Sequence, residues 1–179
     1  MKLELKRPEK TVEFCLDGSL YAEYQEAERE LQDARKKALA VRDGRMSDPA
    51  KPLAQKVVDL GEQIRAESAT FLLRALNRKR WQTIVAENPA RKDNAADKGY
   101  NFNLDAVLGE AIPESIVSVS KDGEPVEFDP AADWDALADE MTDRQYEDFG
   151  YAVLELNRGR QEVPFSLDAY RKIAASEKT

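Results

Sequence analysis

The sequence predicts a mainly α-helical fold. Apolar residues recur at alternating spacings of four and three through residues 20–41 and 53–64, helix-capping residues precede several apolar runs, and strand-like alternation is confined to short stretches. We expect an N-terminal β-hairpin within residues 1–18 and a long antiparallel helical hairpin over 19–70. A compact, mainly helical portion over 71–179 follows, which can include one small β-hairpin and can pack with the helical hairpin as one domain.

The N-terminal β element is predicted from alternation. Leu3 and Leu5 alternate with charged residues, a turn is expected at 7–10, and an apolar run at 11–16 supplies the second strand. Ser19 then follows a turn, and its hydroxyl can accept a hydrogen bond from a free amide of the first helical turn. We therefore expect the first helix to begin there.

The helical hairpin is predicted from a coiled-coil seam. The apolar positions of the first helix are Leu20, Tyr24, Ala27, Leu31, Ala34, Ala38 and Val41, and those of the second are Leu53, Val57, Leu60 and Ile64. Phe71 resumes the spacing after an interruption at Glu67. We expect residues 20–76 to fold back as paired helices, with a stop at 43–44 and a start at 48–49.

The compact portion is predicted from its start and stop signals. Asn103 can cap one helix, Thr142 and Gln145 form a capping box for another, and Gly159 is placed to end it. A turn at 121–124 can join two short strands. A final short helix is expected over 167–173.

Composition narrows the function classes. The chain has no histidine and a single cysteine, Cys15, which removes the usual general base, histidine-based triads and most zinc sites. No phosphate loop, dinucleotide fingerprint or nucleophile elbow is present. We therefore predict a non-enzymatic protein without cofactor or metal. The net charge of −8 disfavours nucleic acid as a partner, and neither a secretory signal nor a long apolar run points to a membrane.

A basic patch stands out in the middle of the chain. It consists of Arg74, Arg78, Lys79, Arg80 and Arg91, with Lys92 beside them and Trp81 among them. Cations and an aromatic ring can bind a nucleic acid strand. Two other interpretations remain open: Trp81 belongs to the core and the cations form a solvated face favoured by the helix dipole, or the patch binds an acidic protein.

An acidic run covers residues 129–148. Close carboxylates can bind a divalent cation, but the spacing lacks the glycine and the terminal glutamate of a calcium loop. Acidic residues are also favoured at the starts of helices. A solvated surface is therefore the preferred interpretation over a metal site.

Several segments together resemble a known family. They are TVEFCLD at 11–17, FLLRAL at 71–76, RKRW at 78–81, ENPAR at 87–91 and NFNL at 101–104. In this order they resemble the tail assembly chaperone family of long-tailed phages (siphoviruses) of actinobacteria. The similarity continues to Pro164 and Phe165 and so covers most of the chain.

The resemblance implies a function and a set of partners. Such a chaperone binds the tape measure protein, keeps it soluble in the cytoplasm of the infected bacterial host while the tail tube assembles, and is missing from the mature virion. Many members also occur as a frameshifted long form that recruits tail tube subunits, and this chain resembles the short form. Association of the two forms, or of several copies, is expected.

Residues that contact the client are expected along the helical seam and at its junction with the compact portion. They are Leu31, Ala34, Ala38, Leu60, Ile64, Phe71, Leu72 and Trp81. Each of them also has an interpretation as a core residue. Three alternatives to the chaperone remain: a connector or minor tail protein of the virion, a small phage-encoded regulator that binds host protein or nucleic acid, and an enzyme that acts through its carboxylates.

Overall fold

Helices dominate the fold, and a small antiparallel sheet of four strands completes it. The computed structural model describes residues 4–40 and 50–159. The elements in chain order are β1 (Glu9–Cys15), α1 (Gly18–Ala40), α2 (Ala50–Ala66), β2 (Ser68–Arg74), α3 (Arg78–Glu87), α4 (Ala95–Tyr100), α5 (Leu104–Ser115), β3 (Ile116–Lys121), β4 (Glu124–Val126), α6 (Pro130–Asp139) and α7 (Asp143–Arg158). The mainly helical class predicted from the sequence is confirmed.

The sheet has the strand order β1-β2-β3-β4, and every neighbouring pair is antiparallel. Val12, Phe71 and Val119 lie side by side across the first three strands and face the core. Residues of opposite parity, such as Thr11, Leu72 and Ser118, lie on the other face. That second face is at least partly exposed.

The pairing of the N-terminal strand differs from the expected one. The predicted β element is present as β1, but residues 4–8 form no strand, and the partner of β1 is β2, far along the chain. The expectation that helix continues to residue 76 is wrong. Helix α2 ends at Ala66, and residues 68–74 alternate between buried and partly exposed positions, as a strand does.

Helices α1 and α2 form the predicted antiparallel hairpin, which we call the arm (Gly18–Ala40 and Ala50–Ala66). It leaves the sheet between β1 and β2, where the Leu16 amide donates to the Glu67 carbonyl oxygen at 3.0 Å.

The residue that caps α1 is Asp17, whereas the sequence predicts Ser19. Hydrogen bonds from the Ser19 hydroxyl and amide lower the pKa of the Asp17 carboxyl. The expected signals at 43–44 and 48–49 lie outside the described residues.

The main core lies between the sheet and the helices that follow β2. Phe149 of α7 is at its centre, with ring centroids 5.2 Å from Phe71 of β2 and 5.0 Å from Trp134 of α6. All three side chains are at most 2% exposed. Edge-to-face packing of such rings adds to the free energy of apolar burial. No described arm residue belongs to this core.

Several local signals act as expected. Asn103 caps α5, Gly159 follows the last residue of α7, and β3 and β4 form the small hairpin. Its turn residues Asp122 and Gly123 have φ values of 50° and 80°, as a tight hairpin turn with two left-handed residues requires. The helix expected over 167–173 lies outside the described residues.

The capping box of α7 leads to a stability prediction. The Thr142 hydroxyl accepts from the Gln145 amide at 3.4 Å, and the Gln145 side chain accepts from the Thr142 amide at 2.9 Å. Thr142→Ala should lower the free energy of unfolding by about 1 kcal/mol, measured by urea denaturation. Thr83→Ala is the control, because Thr83 lies within α3, where alanine is the better helix former. Equal losses in both variants would contradict the cap's contribution.

Candidate functional site

The register of the arm places Lys56 beside Glu30 and Gly61 beside Tyr24. The Lys56 ammonium lies 3.7 Å from the Glu30 carboxylate, and a Cβ added to Gly61 would lie 3.8 Å from the Tyr24 ring. Leu31 and Leu60 are buried in the arm. The arm therefore has an apolar seam of its own, separate from the main core.

The seam is only partly covered. Tyr24, Leu53, Val57 and Ile64 occupy seam positions, yet each remains partly exposed. Two helices cover a shared seam from only two sides, whereas a third helix would close it. Apolar area that stays in contact with water in the free protein is thus available for burial against a partner helix.

The two flanks of the seam differ in chemistry. When the seam residues are placed at heptad positions a and d, Glu23, Glu30 and Lys37 of α1 and Lys56 and Gln63 of α2 line one side. The e positions on the other side are Tyr21, Glu28 and Arg35 of α1 and Ala54 and Gly61 of α2. The uncharged part of this side, which we call the apolar flank, consists of Tyr21, Ala54, Gly61 and the neighbouring Val58. Tyr21 and Val58 are 53% and 52% exposed.

The apolar flank suits an amphipathic helix. Ala54 and Gly61 are small, so that a partner helix can approach α2 closely. Tyr21 and Val58 offer exposed apolar side chains beside them. Helices commonly bind in this way, with their apolar stripe laid against a groove.

Burial favours the core interpretation for three of the predicted client-contact residues. Leu31 and Leu60 are 8% and 6% exposed and hold the arm helices together. Phe71 is 2% exposed and contributes to the main core from a strand instead of a helix. In the free protein these side chains stabilise the fold.

The other five predicted contact residues keep some exposed surface but do not form one site. Ala34, Ala38 and Ile64 lie on the arm. Leu72 lies on the second face of the sheet, and Trp81 lies in α3 with its ring 6.1 Å from that of Phe102. The arm is therefore the larger continuous candidate surface.

The predicted basic patch is divided by ion pairs. Arg74 pairs with Glu9 at 2.7 Å, and Arg80 pairs with Glu110 and Glu114. Within the described part of the chain, Arg78 and Lys79 have no acidic partner. The expected benefit from the helix dipole is wrong, because residues 78–80 form the first turn of α3, where cations are disfavoured.

Arg91 binds a buried carboxylate from a partly exposed position. Its guanidinium donates to the Asp97 carboxylate from Nε and Nη2, both at 2.8 Å, and to Asp105 at 2.8 Å. Asp97 is fully buried and also accepts from the amides of Arg91 and Leu104. These hydrogen bonds tie the loop after α3 to α4 and α5.

The acidic run lies on the exposed surface of α6 and α7. Asp129 caps α6 by accepting from the Ala131 amide at 3.0 Å, and Asp148 pairs with Arg144 at 3.1 Å. Among the residues that the structure describes, no three acidic or cysteine side chains are grouped closely enough to hold a metal ion. Capping and solvation account for these carboxylates.

Comparison with known proteins identifies no relative of this chain. No family model, curated protein or solved structure matches the chain. None of the described helices combines the length and the apolar character that crossing a membrane takes. The geometry of the arm and the sequence resemblance therefore remain as the grounds for a functional proposal.

The apolar flank was missed among the residues expected to contact a client. Seam spacing identified residues at heptad positions a and d, while Tyr21, Ala54 and Gly61 occupy the e positions next to them. In a soluble coiled coil these positions are usually charged. Of the five e positions that the described arm contains, Glu28 and Arg35 are charged and the other three are uncharged, which is a signal that the sequence contains.

Proposed function

We propose that the protein is a phage tail assembly chaperone that binds the tape measure protein through the arm. The observation that carries the proposal is the partly covered seam beside the apolar flank, with Tyr21 and Val58 about half exposed. A tape measure protein is a very long helical chain, so it presents apolar stripes before the tail tube surrounds it. One stripe laid along the arm would bury apolar area on both partners.

The charge of the chain supports the same function. Many copies can bind along one long client, each through a modest apolar contact, and several linked contacts give high overall affinity. The net charge of −8 on every copy keeps such a complex in solution. Binding sites are thus apolar and local, while the remaining surface is charged.

The proposal extends to location and partners. The chaperone acts in the cytoplasm of the infected bacterial host and leaves before the virion is complete. Tail tube subunits are recruited through a frameshifted long form that shares this chain. Copies of the short form associate along the client.

Co-expression tests the proposal directly. The tape measure protein of the same phage should become soluble and co-purify when this chain is produced with it. A client that remains insoluble and unbound would contradict the proposal. Mass spectrometry of purified virions separates the chaperone from a connector or minor tail protein, because only a structural component remains in the particle.

A further inference from the structure

A groove with an apolar floor and a cationic rim lies at the end of the sheet away from the arm. It has a volume of about 460 Å³. Its floor is formed by Pro8, Leu76, Trp81 and Leu156, which come from the chain before β1, the chain after β2, and helices α3 and α7. Leu5 lines the same groove and is 91% exposed. Apolar surface is thus left open to water at a place where three parts of the chain meet.

The rim of the groove is positively charged. Lys6 and Arg78 line it, and neither has an acidic partner among the described residues. Arg7 also lines it, and its guanidinium donates to the Ala75 carbonyl oxygen at 3.0 Å. A neutral acceptor leaves the charge of Arg7 uncompensated. The groove therefore favours an occupant with apolar side chains and nearby carboxylates.

The chain itself leads out of this groove. Gly159 lines it and is the last described residue of the chain. The residues that follow contain Val163, Pro164 and Phe165, with Glu162 just before them. Phe165 is six positions beyond Gly159 in the sequence, and an extended chain of that length reaches up to about 20 Å. A segment of suitable chemistry is therefore tethered at the groove.

We propose that residues 163–165 bind in this groove of their own chain, with Phe165 against Trp81. Valine, proline and phenylalanine bury apolar surface, and the proline has no amide N–H whose loss of water would oppose binding. The nearby carboxylate of Glu162 suits the cationic rim. A tethered segment also pays little translational entropy on binding, since its effective concentration is high.

The consequence goes beyond the proposed function. Trp81 is covered by the chain's own C-terminal segment, so a client at Trp81 has to displace that segment, whereas the apolar flank of the arm stays open. The inference concerns the isolated protein and needs no client. A failure of this inference and a failure of the chaperone proposal are therefore seen in different experiments.

Tryptophan fluorescence of the full chain tests the inference. The chain has two tryptophans, and Trp134 is 2% exposed, so changes in acrylamide quenching report on Trp81. Phe165→Ala should shift the emission to longer wavelength and increase quenching, and Trp81→Phe should abolish that difference. Ile173→Ala is the matched control, with an apolar truncation in the same C-terminal segment, and should leave quenching unchanged.

The contrary outcomes are distinct. Unchanged quenching in Phe165→Ala, with circular dichroism like that of the parent chain, would overturn the inference. An equal effect of Ile173→Ala would overturn the assignment to residues 163–165. A dependence of the parent's quenching on protein concentration would show that the segment of a second copy fills the groove, and so would overturn binding within one chain.

Discussion

Lysines at positions 54 and 58 should weaken binding of the tape measure protein by about tenfold or more, which corresponds to about 1.4 kcal/mol of binding free energy. Ala54→Lys and Val58→Lys together place two long charged side chains on the apolar flank, where a client helix would have to bury them. Both positions are partly or largely exposed, and lysine is a good helix former, so that the arm itself should fold normally.

The chain offers a matched control for this change. Gln55→Lys and Gln63→Lys add the same charge to the same helix, but Gln63 lies on the opposite side of the seam and Gln55 lies on the outer face of α2, outside the apolar flank. Gln55 donates to Asp59 at 2.8 Å, and a lysine keeps a favourable pair with that carboxylate. Titration calorimetry with a soluble segment of the client would measure both variants. Equal affinities would contradict binding at the apolar flank.

The arm was predictable because its pattern is local. Four-three spacing over many turns depends only on nearby residues, and the same spacing placed Leu31 and Leu60 at positions that the structure buries. Capping residues such as Thr142 act within one helical turn, so the sequence predicts them correctly as well. Signals of this kind need no knowledge of distant partners.

Strand β2 shows where local reasoning fails. Phe71 follows Ile64 by seven residues, which extends the helical pattern by coincidence, while the alternation of residues 68–74 also fits a strand. What decides between them is pairing with β1 and β3, whose partners lie far away along the chain. Tertiary pairing of this kind decides between two local patterns that the sequence fits equally.

The apolar flank and the groove at Trp81 show the same contrast between local and long-range signals. The apolar flank follows mostly from heptad positions that the sequence already contains, so a full heptad assignment identifies Tyr21, Ala54 and Gly61. The groove at Trp81 combines residues near 7, 76 and 156, and only the folded chain brings them together. The sequence shows the basic residues of this groove, but it does not show which apolar residues lie next to them.

Replacement of Asp97 by asparagine should lower the Tm by on the order of 10 °C, because it breaks a hydrogen-bonded ion pair whose carboxylate is fully buried. Oδ1 of Asp97 accepts from Arg91 Nη2 and the Leu104 amide, while Oδ2 accepts from the Arg91 amide and Nε. An asparagine NH₂ group would face two donors in either orientation. Asp105→Asn is the control, because Asp105 binds the same guanidinium at 2.8 Å but is 76% exposed, so little loss is expected.

The same carboxylate should shape the acid unfolding of the protein. Hydrogen bonds from the Arg91 side chain, helped by the amides of Arg91 and Leu104, hold the pKa of Asp97 far below its usual range despite burial. Since the pKa is lower in the folded chain, this stabilisation is complete above the unfolded value of about 3.9 and is lost as the pH falls below it. Tm measured from pH 6 to pH 2 should therefore fall less steeply at the acid end in Asp97→Asn than in the parent chain. Parallel curves would contradict the role of Asp97, and Asp105→Asn should follow the parent, since water already screens its exposed pair.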